Sequence, residues 1–264
     1  MAQRRAMIEG AALANELGDL YAAQWYTYQA GNLSVALDSH WSEQQGFILS
    51  GVSNGQVLRS GLDMANILAV IQTDRGDGLS FSVTDDRVLA SLKPLIDSFK
   101  TIYQVNKVNA DANGLPIGAA IGRYHEDRYD GVRSDGPGGN PWYLTTAAVA
   151  EFLYKVSVAW KTKGFIPVTR RSYSFFKDFL GVSQVVSGAV YTKGDDIYDQ
   201  IHMRLLSIGD SYIRRIMYHS KNGRLPEEFN KDTGNERGSK DLTWSYASII
   251  TAGAARDKLL KMTF

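Results

Sequence analysis

Apolar residues recur at intervals of three to four along most of the chain, and this spacing is the feature that most limits the possible folds. It is the period of amphipathic α-helices, whereas half-buried strands would alternate apolar and polar residues. Alternating stretches are short and isolated, as in F-S-V at 81–83. We therefore predict an all-α fold. The eight predicted helices span 3–18, 20–39, 61–73, 84–103, 140–164, 171–180, 195–220 and 240–261.

Local signals at the ends of two helices define their boundaries further. Thr84 precedes two aspartates, and a threonine N-cap followed by acidic residues suits a helix N-terminus. Pro94 then predicts a kink or a break within that helix. Asn140 and Pro141 form a strong start signal, because asparagine is a good N-cap and proline suits the first helical position. The helix that they begin is expected to end near Gly164.

Two long segments interrupt the helices, at 106–139 and at 221–239. Glycine, aspartate, asparagine and proline accumulate in the first, and the second is polar. Loops longer than about 12–15 residues within a compact domain are usually functional or disordered. We therefore look for functional residues in these two loops.

The residue content excludes several classes of function. The chain has 29 basic and 28 acidic residues and no long run of lysine or arginine, so we expect no nucleic-acid partner. The absence of cysteine excludes disulfides, thiolate metal sites and a cysteine nucleophile. No stretch is apolar enough for a membrane span, and the N-terminus lacks the apolar stretch of a secretory signal. We therefore expect a soluble chain with neutral ligands and no membrane partner.

Metal, nucleotide and triad chemistry is not indicated either. The four histidines show neither paired metal-ligand spacing nor a neighbouring nucleophile signature, and we expect them to be structural or at the surface. There is no phosphate-binding glycine motif and no G-x-S-x-G. The sequence therefore predicts no metal and no cofactor. The histidines are His40, His125, His202 and His219.

Acidic and aromatic residues concentrate in and beside the two long loops. An arginine, two carboxylates and a tryptophan lie in G-R-Y-H-E-D at 122–127 and G-N-P-W-Y-L at 139–144. Such a set can bind a polyhydroxylated ligand, since flat rings pack on sugar faces, or it can tie the loop down through an ion pair. Glu227 and Glu228, in the second loop, are either functional or part of a solvated acidic turn. Residue types alone leave these alternatives open.

Four motifs, in order, resemble the signature of the glucoamylases of glycoside hydrolase family 15. They are G-R-Y-x-E-D at 122–127, G-N-P-W-x-L at 139–144, E-x-[FY]-[ND]-K-x-x-G at 227–234 and D-L-T-W-S-Y-A at 241–247. The segment 3–12 also resembles the family segment that follows its general acid. The resemblance implies a six-hairpin (α/α)6 barrel, or toroid, with the active site at one end.

The resemblance also implies an activity, the release of glucose from the non-reducing ends of starch and other α-1,4-glucans. In inverting enzymes one carboxylic acid protonates the leaving oxygen and a carboxylate activates water, the two carboxyls being roughly 6.5–9.5 Å apart. By motif position, Glu227 is expected to be the general base. Arg123, Asp127 and Trp142 are expected to bind the sugar, and Glu126 to orient Arg123 through an ion pair.

The sequence departs from the family pattern around the expected base. Glu228 stands where the family commonly has glutamine, and we assign it a supporting role. Pro226 replaces the usual serine before the base, which can alter the backbone there. The segment 130–138 is longer than the family's link between the first two motifs, so we expect a reshaped rim to the site.

The family's general acid would precede the segment 3–12 and so fall upstream of Met1. We therefore interpret 1–264 as the C-terminal portion of the catalytic domain, an incomplete barrel whose activity alone is expected to be impaired. The alternatives are a truncated, inactive remnant that binds glucan or a partner protein, and a chain whose missing hairpins come from a partner. For the complete parent we expect a secreted monomer that acts on α-glucan, and we assign no localisation to this chain.

Overall fold

Helices dominate the computed structural model, which describes residues 1–53, 56–57, 59–78 and 80–262. The predicted all-α class is confirmed, although one expected helix is shorter than predicted and mostly π-helical. At 171–180 only a π-helical turn forms, at Phe175–Phe179, and its Phe175 and Phe176 are fully buried against Trp160. The α-helices of the described part are α1 (Ala2–Glu16), α2 (Leu20–Asp38), α3 (Met64–Thr73), α4 (Asp86–Ile102), α5 (Tyr143–Lys163), α6 (Asp196–His219) and α7 (Thr243–Lys261).

The start of α4 differs from the prediction by one residue. Its N-cap is Asp85 rather than Thr84, because the Asp85 carboxylate accepts a hydrogen bond from Arg87 N at 2.9 Å. The Thr84 hydroxyl instead accepts one from Lys163 Nζ at 2.8 Å. The helix also continues through Pro94, so the predicted break does not occur. The missing N–H of the proline costs one backbone hydrogen bond, and the buried apolar face of α4 offsets this loss.

The start of α5 is also displaced from the prediction, and it begins after Trp142. Asn140 does not cap this helix because its side chain bonds to two loops. Its Nδ2 donates to the Asp130 carbonyl at 3.0 Å, and its Oδ1 accepts from Lys231 N at 3.1 Å. The predicted end is confirmed, since Gly164 is the C-cap with φ +77, a left-handed conformation that glycine adopts without strain.

Within the described residues, four short antiparallel strand pairs lie between the helices. They join neighbouring helices and form no sheet layer, so the architecture remains helix on helix. Their strands pair as β1 (Trp41–Ser42) with β2 (Phe47–Ile48), β3 (Val52–Ser53) with β4 (Gln56–Val57), β5 (Phe165–Pro167) with β6 (Val190–Thr192), and β7 (Glu228–Phe229) with β8 (Glu236–Arg237).

α5 is the central helix of the described fold. It packs against α3, α6 and α7, and it is buried on all sides along most of its length. Phe152, Tyr154 and Trp160 are among the largest fully buried side chains. A helix that is surrounded in this way needs no polar face, which explains its long apolar run. The position of α5 fixes its first turn, where the second sequence motif lies.

α1 and α2 form a helical hairpin at the outside of the described fold. Both expose large apolar side chains, including Leu13, Tyr21 and Val35. A buried arginine anchors the pair, since Arg4 Nε donates to Ser34 Oγ at 2.7 Å and its Nη atoms bond to the Asp77 carboxylate at 3.1 Å. A polar network therefore attaches this hairpin to the loop after α3.

Candidate active site

The second and third motifs lie side by side. Trp142, directly before α5, forms a β-bridge with Glu228 on β7. Phe229 N, on the same strand, donates to the Pro141 carbonyl at 3.1 Å. Glu228 in turn pairs with Arg237 across the β7–β8 hairpin. The fold thus joins the second motif to the hairpin that follows the expected base, Glu227.

The first and fourth motifs meet at the same place. Trp142 N donates to the Ile121 carbonyl at 2.9 Å, which sets the first motif beside the second. The Ser245 hydroxyl of α7 donates to the Pro226 carbonyl at 2.8 Å, which sets the fourth beside the third. Pro226 is therefore a buried anchor point for α7. All four motifs converge on one end of α5.

Arg123 and Asp127 form a bidentate ion pair within the first motif. Arg123 Nε and Nη2 each lie 2.8 Å from a carboxylate oxygen of Asp127, which is almost fully buried. The side chain of Arg123 is 37% exposed, so the guanidinium reaches the surface of the site. A Cβ at Gly139 would lie 2.7 Å from the Asp127 side chain, so this position requires glycine. The ion pair orients the guanidinium, and Asp127 accepts no hydrogen bond from its Nη1.

The predicted ion pair between Glu126 and Arg123 is wrong. Asp127 takes that role, since it lies four residues after Arg123 beyond a turn closed by the Asp127 N to Tyr124 O hydrogen bond. Glu126 is exposed, and its carboxylate accepts a hydrogen bond from Ser60 N at 2.8 Å. It therefore ties the first motif to the loop that precedes α3.

Aromatic rings surround the Arg123 guanidinium. Its central carbon lies 5.2 Å from the Tyr129 ring centroid and 5.0 Å from that of Trp142, within the range of cation–π attraction. Beside it is a cavity of about 290 Å³ at the N-terminal ends of α3, α5 and α7, whose wall includes Tyr124 and the exposed Trp244. Flat rings next to a hydrogen-bond donor are suited to a sugar ring.

Glu227 is half-buried and fixed at both carboxylate oxygens. Oε1 accepts a hydrogen bond from the Tyr129 hydroxyl at 3.2 Å, and Oε2 accepts one from Ser239 N at 3.0 Å. Gly238 passes close to this carboxylate, and a Cβ there would lie 2.4 Å from Oε2. Gly238 also has φ +70, so glycine is required for both reasons. The carboxylate is therefore oriented while part of its surface remains accessible.

Glu228, the next residue, is fully buried. Its Oε2 accepts a hydrogen bond from Asn140 Nδ2 at 2.9 Å. Burial raises the pKa of Glu228 to about 8, although the Asn140 hydrogen bond acts in the opposite direction, and the charges of Glu227 and Asp127 raise it further. The two adjacent glutamates are thus in very different environments.

No helix within the described ranges is long and apolar enough to cross a membrane.

Nor do the described residues include a group of three histidine, cysteine, aspartate or glutamate side chains arranged to bind a metal ion.

The family model described as "Glycosyl hydrolases family 15" matches residues 1–254. The chain belongs to this family. Glucoamylase from Blastobotrys adeninivorans is 39% identical over 98% of the chain, and Glucoamylase 1 from Rhizopus oryzae is 33% identical over 97%. Each alignment covers 41% of the relative, so this family 15 chain spans about two fifths of the length of these relatives.

Solved structures of family 15 proteins show the same fold. A glucoamylase from Hypocrea jecorina superposes with a TM-score of 0.82 at 34% identity, covering 97% of this chain and 41% of that one. One from Saccharomycopsis fibuligera gives 0.84 at 28% identity, covering 98% and 55%. The predicted part of an (α/α)6 barrel is therefore confirmed.

The candidate site includes two residues that the sequence analysis did not single out. Tyr129 lies only two positions after the first motif, and its hydroxyl contacts Glu227. Trp244 lies inside the fourth motif and lines the cavity beside Arg123. Their sequence positions, in or next to the motifs, are the signal from which both residues could have been predicted. The contact between Tyr129 and Glu227, 98 residues apart, depends on the tertiary fold.

Proposed function

We propose that this chain supplies the general base of an inverting glucan 1,4-α-glucosidase site. The reaction at this site releases glucose from the non-reducing ends of α-1,4-glucans. Glu227 is the general base. The observation that supports this assignment most directly is the Glu227 carboxylate, which is partly accessible and oriented at both oxygens by Tyr129 and Ser239. Family membership and the glucoamylase relatives support the substrate class.

In the proposed reaction Glu227 removes a proton from water as the water oxygen bonds to the anomeric carbon. The bond from that carbon to the glycosidic oxygen breaks, and a separate carboxylic acid protonates the departing oxygen. Arg123, oriented by Asp127, donates a hydrogen bond from Nη1 to a sugar hydroxyl. Trp142 and Trp244 provide apolar surface for the sugar ring.

We propose that the acid comes from outside the described residues. Glu228 is protonated more readily than an ordinary glutamate, but it is fully buried and cannot contact a glycosidic oxygen. Asp127 is bound at both oxygens by Arg123, and Asp63, which lines the cavity beside Arg123, caps α3 by accepting a hydrogen bond from Ala65 N at 2.8 Å. We therefore expect this chain alone to hydrolyse maltose and starch slowly, because a missing acid typically costs about 10²–10⁴-fold.

Substrates with different needs for an acid test this assignment. The fluoride of α-D-glucopyranosyl fluoride leaves with little help from an acid, whereas the alkoxide of maltose needs a proton. We expect the chain to convert the fluoride to β-glucose much faster than it hydrolyses maltose. Glu227→Gln should lower fluoride hydrolysis by at least about 10²-fold, since it removes the base and leaves the fold intact.

Proton NMR of the first-formed glucose and a fluoride electrode measure both quantities. Glu236→Gln, a half-buried glutamate on β8, is the matched control and should retain hydrolysis. Equal rates for wild type and Glu227→Gln would exclude Glu227 as the base. Maltose binding without turnover of either substrate would instead favour a chain that binds glucan and does not hydrolyse it.

A further inference from the structure

Glu228 is the first residue of β7, in the hairpin that follows Glu227. One of its carboxyl oxygens has no hydrogen-bond partner among the described residues. The side chain is fully buried on β7, next to the Trp142 bridge. Oε2 accepts from Asn140, whereas Oε1 has no hydrogen bond. A buried ionised carboxylate normally needs several donors or a cation. The surroundings of Glu228 therefore do not suit a charged group.

The Asn140 amide fixes which oxygen of Glu228 accepts. Its Oδ1 accepts from Lys231 N at 3.1 Å, so its Nδ2 must be the donor group. That nitrogen donates to the Asp130 carbonyl at 3.0 Å and to Glu228 Oε2 at 2.9 Å. Glu228 Oε2 is therefore an acceptor, like a carbonyl oxygen. Through Asn140, Glu228 is linked to the start of the segment 130–138 and to the loop after β7.

The charged groups around Glu228 do not neutralise a carboxylate. On its own hairpin, Glu227 is acidic, and Arg237 directs its guanidinium to Asp130, with Nε 3.1 Å from the backbone carbonyl. From the first motif, the Asp127 charge raises the pKa of Glu228 and the Arg123 charge lowers it, but Arg123 is bound at two positions by Asp127.

Two tyrosines complete the surroundings. Tyr103, at the end of α4, and Tyr129 both have pKa values raised by burial first and also by nearby carboxylates, including Glu228. Both hydroxyls therefore remain neutral when Glu228 titrates. In the described part of the chain, no salt bridge reaches Glu228.

We propose that Glu228 is a positioning residue that is held as a neutral carboxylic acid and loses this role when it ionises. Oε2 is then the carbonyl oxygen that accepts from Asn140, and Oε1 bears the proton, as an amide presents one acceptor and one donor group. Ionisation would place a second negative charge beside Glu227 without a cation. The pKa of about 8, raised mainly by burial, sets ionisation above neutral pH.

The protonation state can be measured through stability, without any turnover. A carboxyl with a folded pKa of about 8 and an ordinary pKa of 4.5 binds a proton in the folded state only, between these values. The unfolding equilibrium constant of wild type relative to Glu228→Gln should therefore rise about tenfold per pH unit from pH 5 to 7.5. Urea titrations monitored by circular dichroism measure this ratio. A ratio independent of pH would overturn the proposal.

A control variant and an infrared measurement complete the test of Glu228 protonation. Glu236→Gln, on the paired strand, is the matched control and should give a ratio that does not change with pH. If Glu228→Gln fails to fold, infrared spectra of the wild-type chain decide instead. The carbonyl stretch of a neutral carboxylic acid should be present at pH 7 and lost above pH 9, and its absence at pH 7 would refute a protonated Glu228.

The effect on turnover rests on the proposed function and is tested separately. Each variant's rate of α-D-glucopyranosyl fluoride hydrolysis is divided by its own rate at pH 6. The wild-type ratio should fall about tenfold at pH 9, because only about one tenth of Glu228 remains protonated there. Glu228→Gln should not show this decline. Parallel profiles would refute the positioning role. Absence of hydrolysis in both would refute the proposed function, while the stability and infrared measurements still decide the protonation of Glu228.

Discussion

At the scale of single residues, Glu227 lies just before β7 and Glu228 is the first residue of β7, and the two adjacent side chains have different surroundings. Glu227 faces Tyr129 and the open part of the site, whereas Glu228 faces Asn140 in the interior. Motif position identified the base candidate, but the sequence could not show which neighbour would be buried. That difference depends on the bridge between Trp142 and Glu228, which brings together distant segments.

Replacing Tyr129 with phenylalanine tests how the base is oriented. The change removes the hydroxyl that donates to Glu227 Oε1, and the ring that packs 6.0 Å from Trp142 is retained. A hydrogen bond to a charged group contributes about 1.5–3 kcal/mol, so kcat on α-D-glucopyranosyl fluoride should fall about tenfold or more with little change in KM. Tyr124→Phe, which removes the hydroxyl of another ring beside Arg123, is the control. A rise in KM alone would indicate a role in sugar binding instead.

At the scale of elements, helical periodicity predicted the positions of most helices, because their apolar faces are buried in a common core. Helix starts were predicted less well, since tertiary hydrogen bonds recruit the side chains that would otherwise act as caps. Thr84 bonds to Lys163 and Asn140 bonds to Asp130, so neither caps its helix. The motifs predicted the candidate site residues, whereas the ion pair that orients Arg123 depends on the turn that places Asp127 beside it.

The long loop between α4 and α5 is attached to α6 by a buried arginine. Arg215 donates to three backbone carbonyls, those of Val105, Val108 and Gly118, and burial lowers its pKa to about 10. Arg215→Met should leave these carbonyls without donors and lower the free energy of unfolding by about 3 kcal/mol or more. Arg214→Met, which removes one exposed hydrogen bond to the same loop, should cost less than about 1 kcal/mol. Urea unfolding compares the two variants, and equal losses would contradict the anchoring role.

At the scale of the whole molecule, buried titratable groups act on stability in opposite directions. Burial lowers the pKa of His202 and of His219 to about 4, from an ordinary 6.5. His202 is fully buried and bonds to Ser157 Oγ at 2.7 Å, and His219 packs on Phe229 with ring centroids 4.2 Å apart. Both histidines are therefore neutral in the folded chain at a pH where the unfolded chain binds their protons.

These three groups predict a maximum of stability near pH 6.5. Near pH 5 the unfolded chain binds two protons on histidines and the folded chain one on Glu228, so the unfolding constant should fall about tenfold per pH unit there and level off towards pH 6.5. Between pH 6.5 and 8 the Glu228 proton of the folded chain outweighs the remaining histidine protons of the unfolded chain, so these three groups should raise the constant again, by about fourfold in all. His202→Asn removes one of the two histidine protons and should make the acid side flat, whereas His125→Gln, an exposed histidine, should leave it unchanged. Urea titrations from pH 4.5 to 8 measure both limbs, and an acid limb that persists in His202→Asn would show that other groups control stability there.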